Sequence, residues 1–159
     1  MLISFINEIS KNLNFLMMRK NILILFFTIL TSISASANKP NDWSKVMDAI
    51  IKVESNGNQN AVSKDGKCVG AMQIKKIVVD DCNEYLKRLK INKQYTYNDR
   101  YDVQKSKEMF LLIQKRYNTK NDLEEGIKIW NMGCNYKSKK QYVINAEIYY
   151  QKVLNKMKK

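Results

Sequence analysis

The residues best able to do chemistry fall in one segment, "VESNGNQNAVSKDGKCVGAMQI" (residues 53–74), where a single glutamate, Glu54, sits between one apolar run and the next among three of the chain's five glycines. The chain contains no histidine, which excludes Ser-His and Cys-His nucleophilic catalysis and every His-containing zinc site. Carboxylates are left as the natural catalysts. The three cysteines, Cys68, Cys82 and Cys134, lack C-x-x-C spacing, so no metal and no cofactor is expected. Trp43, Val46, Met47, Ile50 and Ile51 recur at the 3, 4, 7, 8 spacing of a buried helical stripe, and Glu54 is the next member of that series. There its carboxyl is partly desolvated at the last turn of an apolar helix while its head reaches a cleft. Burial disfavours the ionised form, and an acid still protonated near neutral pH is what protonating a glycosidic oxygen requires. If the helix frays earlier, Glu54 faces water instead; periodicity alone leaves both readings open.

The elements that would position this segment are helical. Only one proline, Pro40, occurs, and no alternating strand pattern of useful length or internal repeat is present. A first helix is expected over 41–55, with Asp42 near its positive end and an Asp48/Lys52 pair on its exposed face. A second runs from 76 to 89, with Val78, Cys82, Tyr85 and Leu89 on one face. A third follows Asp102 as N-cap, with Val103, Phe110, Ile113 and Tyr117 on one side. A fourth covers 122–132, with Glu124 and Glu125 in its first turn and Gly133 at its end. The fifth opens on a capping box, Ser138 to Gln141, and buries Tyr142, Ala146, Tyr149 and Val153.

Composition bounds the setting. A length of 159 residues with 45% hydrophobic content suits one globular domain. Residues 17–37, "MMRKNILILFFTILTSISASA", have the shape of a secretory signal: Arg19 and Lys20, an apolar run, and the small-residue site Ala35-Ser36-Ala37. Residues 1–37 are therefore expected to be a signal peptide, with translation starting at Met17 or Met18 and cleavage after Ala37; the alternative is an uncleaved N-terminal anchor, against which the short apolar run and the well-placed small-residue site argue. The rest, 38–159, is the domain, exported to the periplasm or the exterior and touching the membrane only through its signal. Beyond residue 37 there are 25 Lys or Arg and 14 Asp or Glu, a net charge of +11. This balance implies an anionic partner; no nucleic-acid motif is present, and an exported protein meets anionic wall and membrane surfaces first.

Three groups of residues carry a resemblance to a known family. "IIKVESNGNQNAVSKDGKCVGAMQI" resembles the catalytic signature of the soluble lytic transglycosylases: Glu54-Ser55 at the end of an apolar helix, the turn Ala61-Val62-Ser63, and Gly70-Ala71-Met72-Gln73-Ile74 in order. "IWNMG" (129–133) is similar to the family's A-Y-N-A-G, and "YYQKVL" (149–154) to its Y-V-x-K-V-L. The resemblance spans about residues 42–157 and implies a mainly α, lysozyme-like helical domain with a catalytic cleft that acts, as a monomer, on peptidoglycan glycan strands. Carried over residue by residue, Glu54 is the single catalytic acid and base, Ser63, Gln73 and Asn131 line the sugar-binding cleft, and Tyr149 approaches the glutamate from the last helix. From side-chain type alone Ser63 also fits a simple turn former and Tyr149 a core residue. Trp130 stands where the family has tyrosine, Met132 where it has alanine, and "CNYKSKK" replaces a proline-containing continuation; Trp130 fits either core packing or stacking on a sugar.

The implied reaction uses Glu54 twice, first as acid towards the oxygen leaving MurNAc C1 in the MurNAc-GlcNAc link, then as base towards the C6 hydroxyl, closing anhydro-MurNAc. Two readings compete: a hydrolytic lysozyme of the same fold, and a basic wall-binding module without turnover. Cys68 and Cys82 bracket "VGAMQI", and in an oxidising compartment a disulfide between them would staple the loop to the next helix, with Cys134 unpaired; alternatively Cys82 is a buried free thiol.

Overall fold

The structure, a computed structural model, describes residues 42–158. The expected signal segment, its start at Met17 or Met18 and its cleavage site lie outside the described residues. Among those described, the order is α1 (Trp43–Ser55), β1 (Cys68–Val69), β2 (Ile74–Lys75), α2 (Lys76–Arg88), a 3-10 turn (Tyr97–Tyr101), α3 (Val103–Tyr117), α4 (Leu123–Met132), a second 3-10 turn (Tyr136–Ser138) and α5 (Lys140–Met157). The two short strands pair antiparallel, Cys68 opposite Lys75 and Val69 opposite Ile74, with an isolated bridge from Val62 to Val69.

Local capping chemistry fixes the helix starts. Asp42 accepts from the Ser44 amide, Asp102 from Lys105 and Asp122 from Glu125, each satisfying a backbone donor that the first turn leaves orphaned. Thr96 and Asp99 form a reciprocal capping box on the first 3-10 turn. The core gathers one stripe from every helix: Val46 and Ile50 of α1, Val79 and Cys82 of α2, Met109 and Phe110 of α3, Ile127 of α4, Ala146 and Val153 of α5. Phe110 lies at its centre, with Trp43 and Trp130 meeting it edge to face at 5.5 and 5.1 Å. Burying each large apolar side chain contributes about 1.5–3 kcal/mol, and α5 packs on both α1 and α4, which joins the last helix to the first.

Four expectations are corrected. The buried face of α2 is Val79, Cys82 and Leu86, one position round from the expected stripe; Val78 and Tyr85 are half-buried and Leu89 is 40% exposed. Asp48 pairs at 2.6 Å with Lys107 of α3, and not with Lys52. The capping box expected at Ser138 does not form, because Ser138 closes the 3-10 turn through its amide to the Asn135 carbonyl; α5 starts after Lys139 without a side-chain cap, and Tyr142 is left 37% exposed.

The fourth correction concerns the cysteines. Cys68, Cys82 and Cys134 are all free thiols, so the Cys68–Cys82 bridge is absent. Cys82 points into the core, where its thiol donates to the Met109 carbonyl at 3.6 Å, while Cys68 sits on β1. Burial, helped by the neighbouring Asp81 charge, pushes the Cys82 thiol up to about 12. A thiol so rarely ionised is a poor partner for disulfide exchange.

Candidate active site

Helix α1 remains regular through Ser55 and stops at Asn56, which takes a left-handed conformation (φ 53°) and donates its amide to the Ile51 carbonyl. Glu54 is therefore fixed in a helical turn and not frayed into solvent. The Tyr149 hydroxyl of α5 donates to Glu54 Oε1 at 2.6 Å. Burial raises the Glu54 pKa; the Tyr149 hydrogen bond and the Lys152 charge act the other way without cancelling it. Tyr149 is itself buried, and burial, the Glu54 charge and the shared hydrogen bond raise its phenol, so it stays a neutral donor.

The loop after Glu54 is tied back to it. Ser55 Oγ donates to the Ala71 carbonyl at 2.8 Å, and the Gly70 amide to the Ala61 carbonyl at 2.8 Å. Gly70 has φ +79°, and a Cβ there would lie 1.8 Å from the Arg100 carbonyl oxygen, so only glycine fits this close approach. Gln73 has φ +49°, a conformation uncommon outside glycine. Its amide N–H donates to the Gly70 carbonyl at 3.1 Å, and its side-chain Nε2 donates to the carbonyls of Gly70 and Ala61 at 3.0 and 3.2 Å. With both donors engaged, the side chain has its amide oxygen left to offer a ligand. Ser63 is chiefly a turn former: its hydroxyl donates to Asp65 at 2.6 Å and accepts from the Cys68 amide at 3.0 Å.

Glu54, Ser63, Gln73 and Asn131 line one cavity of about 870 Å³, within the range of small-ligand sites. Tyr149 stands behind this wall, reaching the cavity only through Glu54. Asn131 is exposed on the last turn of α4. Trp130 packs edge to face against Phe110, as its core reading expects, and is also part of the lining. Helix α2, to which periodicity assigned no part in a site, supplies much of the remaining lining. It contributes Ile77, which is 70% exposed, together with Val78, Asp80, Asp81 and Glu84.

Three of these wall residues are carboxylates, and each is engaged elsewhere. Asp81 accepts from the Tyr117 hydroxyl at 2.9 Å and pairs with Arg116 at 2.9 Å; burial, then this bond to Asp81, pushes the Tyr117 phenol up to about 12. Arg88 and Arg116 hold the Glu84 carboxyl below its ordinary value, and Asp80 accepts from Tyr97 at 2.9 Å. Among the described residues no cluster of three His, Cys, Asp or Glu side chains could hold a metal. The lining carboxylates thus divide into one desolvated acid that favours its proton and a group on α2 bound to phenols and guanidinium.

Sequence reasoning missed the α2 wall and Lys152, one turn beyond Tyr149. No periodic signal marks the first; the spacing of 149 and 152 on one helix could have suggested the second. The helical architecture and its cleft define a lysozyme-like domain. The model described as the transglycosylase SLT domain matches residues 31–150, and the chain belongs to that family, in which lytic transglycosylase activity on peptidoglycan is the common property. No curated protein and no solved structure gives a significant match.

Proposed function

We propose that the chain is a peptidoglycan lytic transglycosylase in which Glu54 acts as acid and then as base. The observation that carries this reading is a single desolvated carboxyl, its pKa raised by burial, in a cleft where the other carboxylates are engaged by phenols and guanidinium. Protonated Glu54 gives its proton to the glycosidic oxygen as the bond to MurNAc C1 breaks. The MurNAc C6 hydroxyl then bonds to C1 and returns a proton to the Glu54 carboxylate, so the acid is regenerated and no water is consumed. The Tyr149 hydrogen bond supports the carboxylate stage, and burial supports the acid stage. Gln73 and Asn131 would meet the sugar, with Ser63 shaping the turn beside them.

One observation favours the hydrolytic alternative: Asp80 lines the same cavity and has no cation within 4 Å among the described residues, and a second carboxylate is what hydrolysis normally uses. Mass spectrometry of fragments released from purified peptidoglycan separates the two, since anhydro-MurNAc ends are lighter by one water than reducing ends. Glu54→Gln should release neither product while keeping its helical circular dichroism; substantial activity in that variant would dismiss Glu54 from both mechanisms. We further propose export of the domain as a monomer to the periplasm or exterior after cleavage at Ala37, which N-terminal sequencing of the secreted chain would test.

A further inference from the structure

We propose that Arg100, which lies outside every motif of the site, is a positioning residue for the sugar-facing turn Gly70–Ile74. This rests on the reading of Gln73 as a sugar contact, and it adds a residue to that reading. Arg100 is only 6% exposed, and among the described residues no carboxylate approaches its guanidinium within 4 Å. A buried cation without an acid is costly unless its N–H donors are used. Here Nη1 donates to the Ile74 carbonyl at 3.1 Å and Nε to the Tyr97 carbonyl at 2.7 Å, and the guanidinium lies 5.9 Å from the centre of the Tyr97 ring.

Both ends of the turn thus meet the same residue. The Ile74 carbonyl at its exit is held by the guanidinium, and Gly70 at its entry lies against the Arg100 backbone carbonyl, close enough that a Cβ would overlap it. Ser106, fully buried, donates its hydroxyl to that carbonyl at 3.1 Å and anchors the clamp to α3. Between these ends stands Gln73 in its left-handed conformation. Such a conformation persists only where the surroundings over-determine it, and the Arg100 clamp adds to the Ser55 bond to Ala71 in fixing the turn. Loosening it frees Gln73 without touching Glu54.

The test uses full-length Arg100→Met and Arg100→Lys, with two measurements. The first is hydrogen exchange at the Gly70 and Gln73 amides, which donate to the Ala61 carbonyl at the turn's entry and to the Gly70 carbonyl within it. In Arg100→Met their protection should fall about tenfold or more, the scale of one lost hydrogen bond to a charged group, while α5 amides keep theirs. The second is steady-state cleavage of soluble, uncross-linked glycan strands, where KM should rise about tenfold and kcat change much less, with Arg100→Lys intermediate in both. Wild-type protection at Gly70 and Gln73 would overturn the proposal. So would a fall in kcat alone with KM unchanged, the mark of a smaller folded fraction. If Arg100→Met does not fold, Arg100→Lys decides by the same two measurements, and wild-type values in both refute the clamp. A wild-type chain that cleaves no glycan would fail the enzymatic reading, and exchange at the turn would still judge the role of Arg100.

Discussion

Replacing Tyr149 with phenylalanine removes the hydroxyl bonded to Glu54 and keeps the ring that packs behind it. That hydroxyl donates to Oε1 at 2.6 Å and favours the ionised carboxylate, against the stronger and opposite effect of burial. A hydrogen bond to a charged group is worth about 1.5–3 kcal/mol, which corresponds to roughly 10- to 150-fold in the protonation equilibrium. Its loss therefore drives Glu54 further towards its neutral form. The assay is the pH dependence of kcat/KM for fragment release, with the Glu54 carboxyl followed by carbon NMR in the same protein. A step that needs the protonated acid slows as pH rises through the carboxyl's pKa, so the descending limb should move to higher pH in Tyr149→Phe. The maximal rate should fall, because a less stable carboxylate is harder to form when the leaving oxygen takes the proton. A limb that stays in place, or moves to lower pH, would show that the phenol does not set the protonation of Glu54.

Burial keeps Glu54 protonated to higher pH in the folded chain than in the unfolded one, so ionising it lowers stability as pH rises through the folded value. Glu54→Gln should accordingly melt a few degrees above wild type near pH 7, and the gap should close below about pH 4, where both states carry the proton; a gap independent of pH would contradict this. Gly70→Ala must place a Cβ against the Arg100 carbonyl at positive φ, which should cost about 2–5 kcal/mol in urea unfolding. Gly57→Ala, at φ +90° with open space around it, should cost only about 1–2 kcal/mol, and equal losses would mean that the close approach is relaxed at no cost. Under non-reducing conditions the native protein should show exposed Cys134 reacting first with a thiol reagent, Cys68 more slowly and Cys82 only on unfolding; a disulfide-linked peptide joining Cys68 to Cys82 would overturn the free-thiol assignment.

Features set by chemistry within a few residues were legible in the chain. The starts of α3 and α4 follow from Asp102 and Asp122, because an N-cap bond reaches only two or three residues ahead. Ser138 has the same local credentials and fails, since Tyr136 is buried and bonded to Glu125 at 2.7 Å, which draws Ser138 into a 3-10 turn. Asp48 fails in the same way: an i,i+4 partner was available, yet Lys107, 59 positions away in sequence, is at hand once α3 packs beside α1. A surface ion pair on one helix is worth only a few tenths of a kcal/mol, too little to resist such competition.

The candidate site divides along the same line. Glu54 continues the α1 stripe, but periodicity alone left open whether the helix reached that far; the left-handed stop at Asn56, just beyond Ser55, decides it. Its partner Tyr149 is 95 positions away; the α5 stripe predicts its burial but not that its hydroxyl meets an acid, and only the family resemblance suggested that contact. The α2 wall was invisible for a different reason. Its helix turns Val79, Cys82 and Leu86 to the core and leaves Ile77, Asp80 and Glu84 outward, a pattern that any surface helix shares. Whether such a face meets bulk water or a cavity is decided by what packs nearby, and the cavity includes Trp130, which rests on buried Phe110, and Met132, packed against the same core. Periodicity reports which way a side chain points relative to its own helix axis. A cleft is a relation between packed elements, so the stripe could bring Glu54 to the inner face without deciding that it stayed there, and it carried no sign of the lining that α2 contributes.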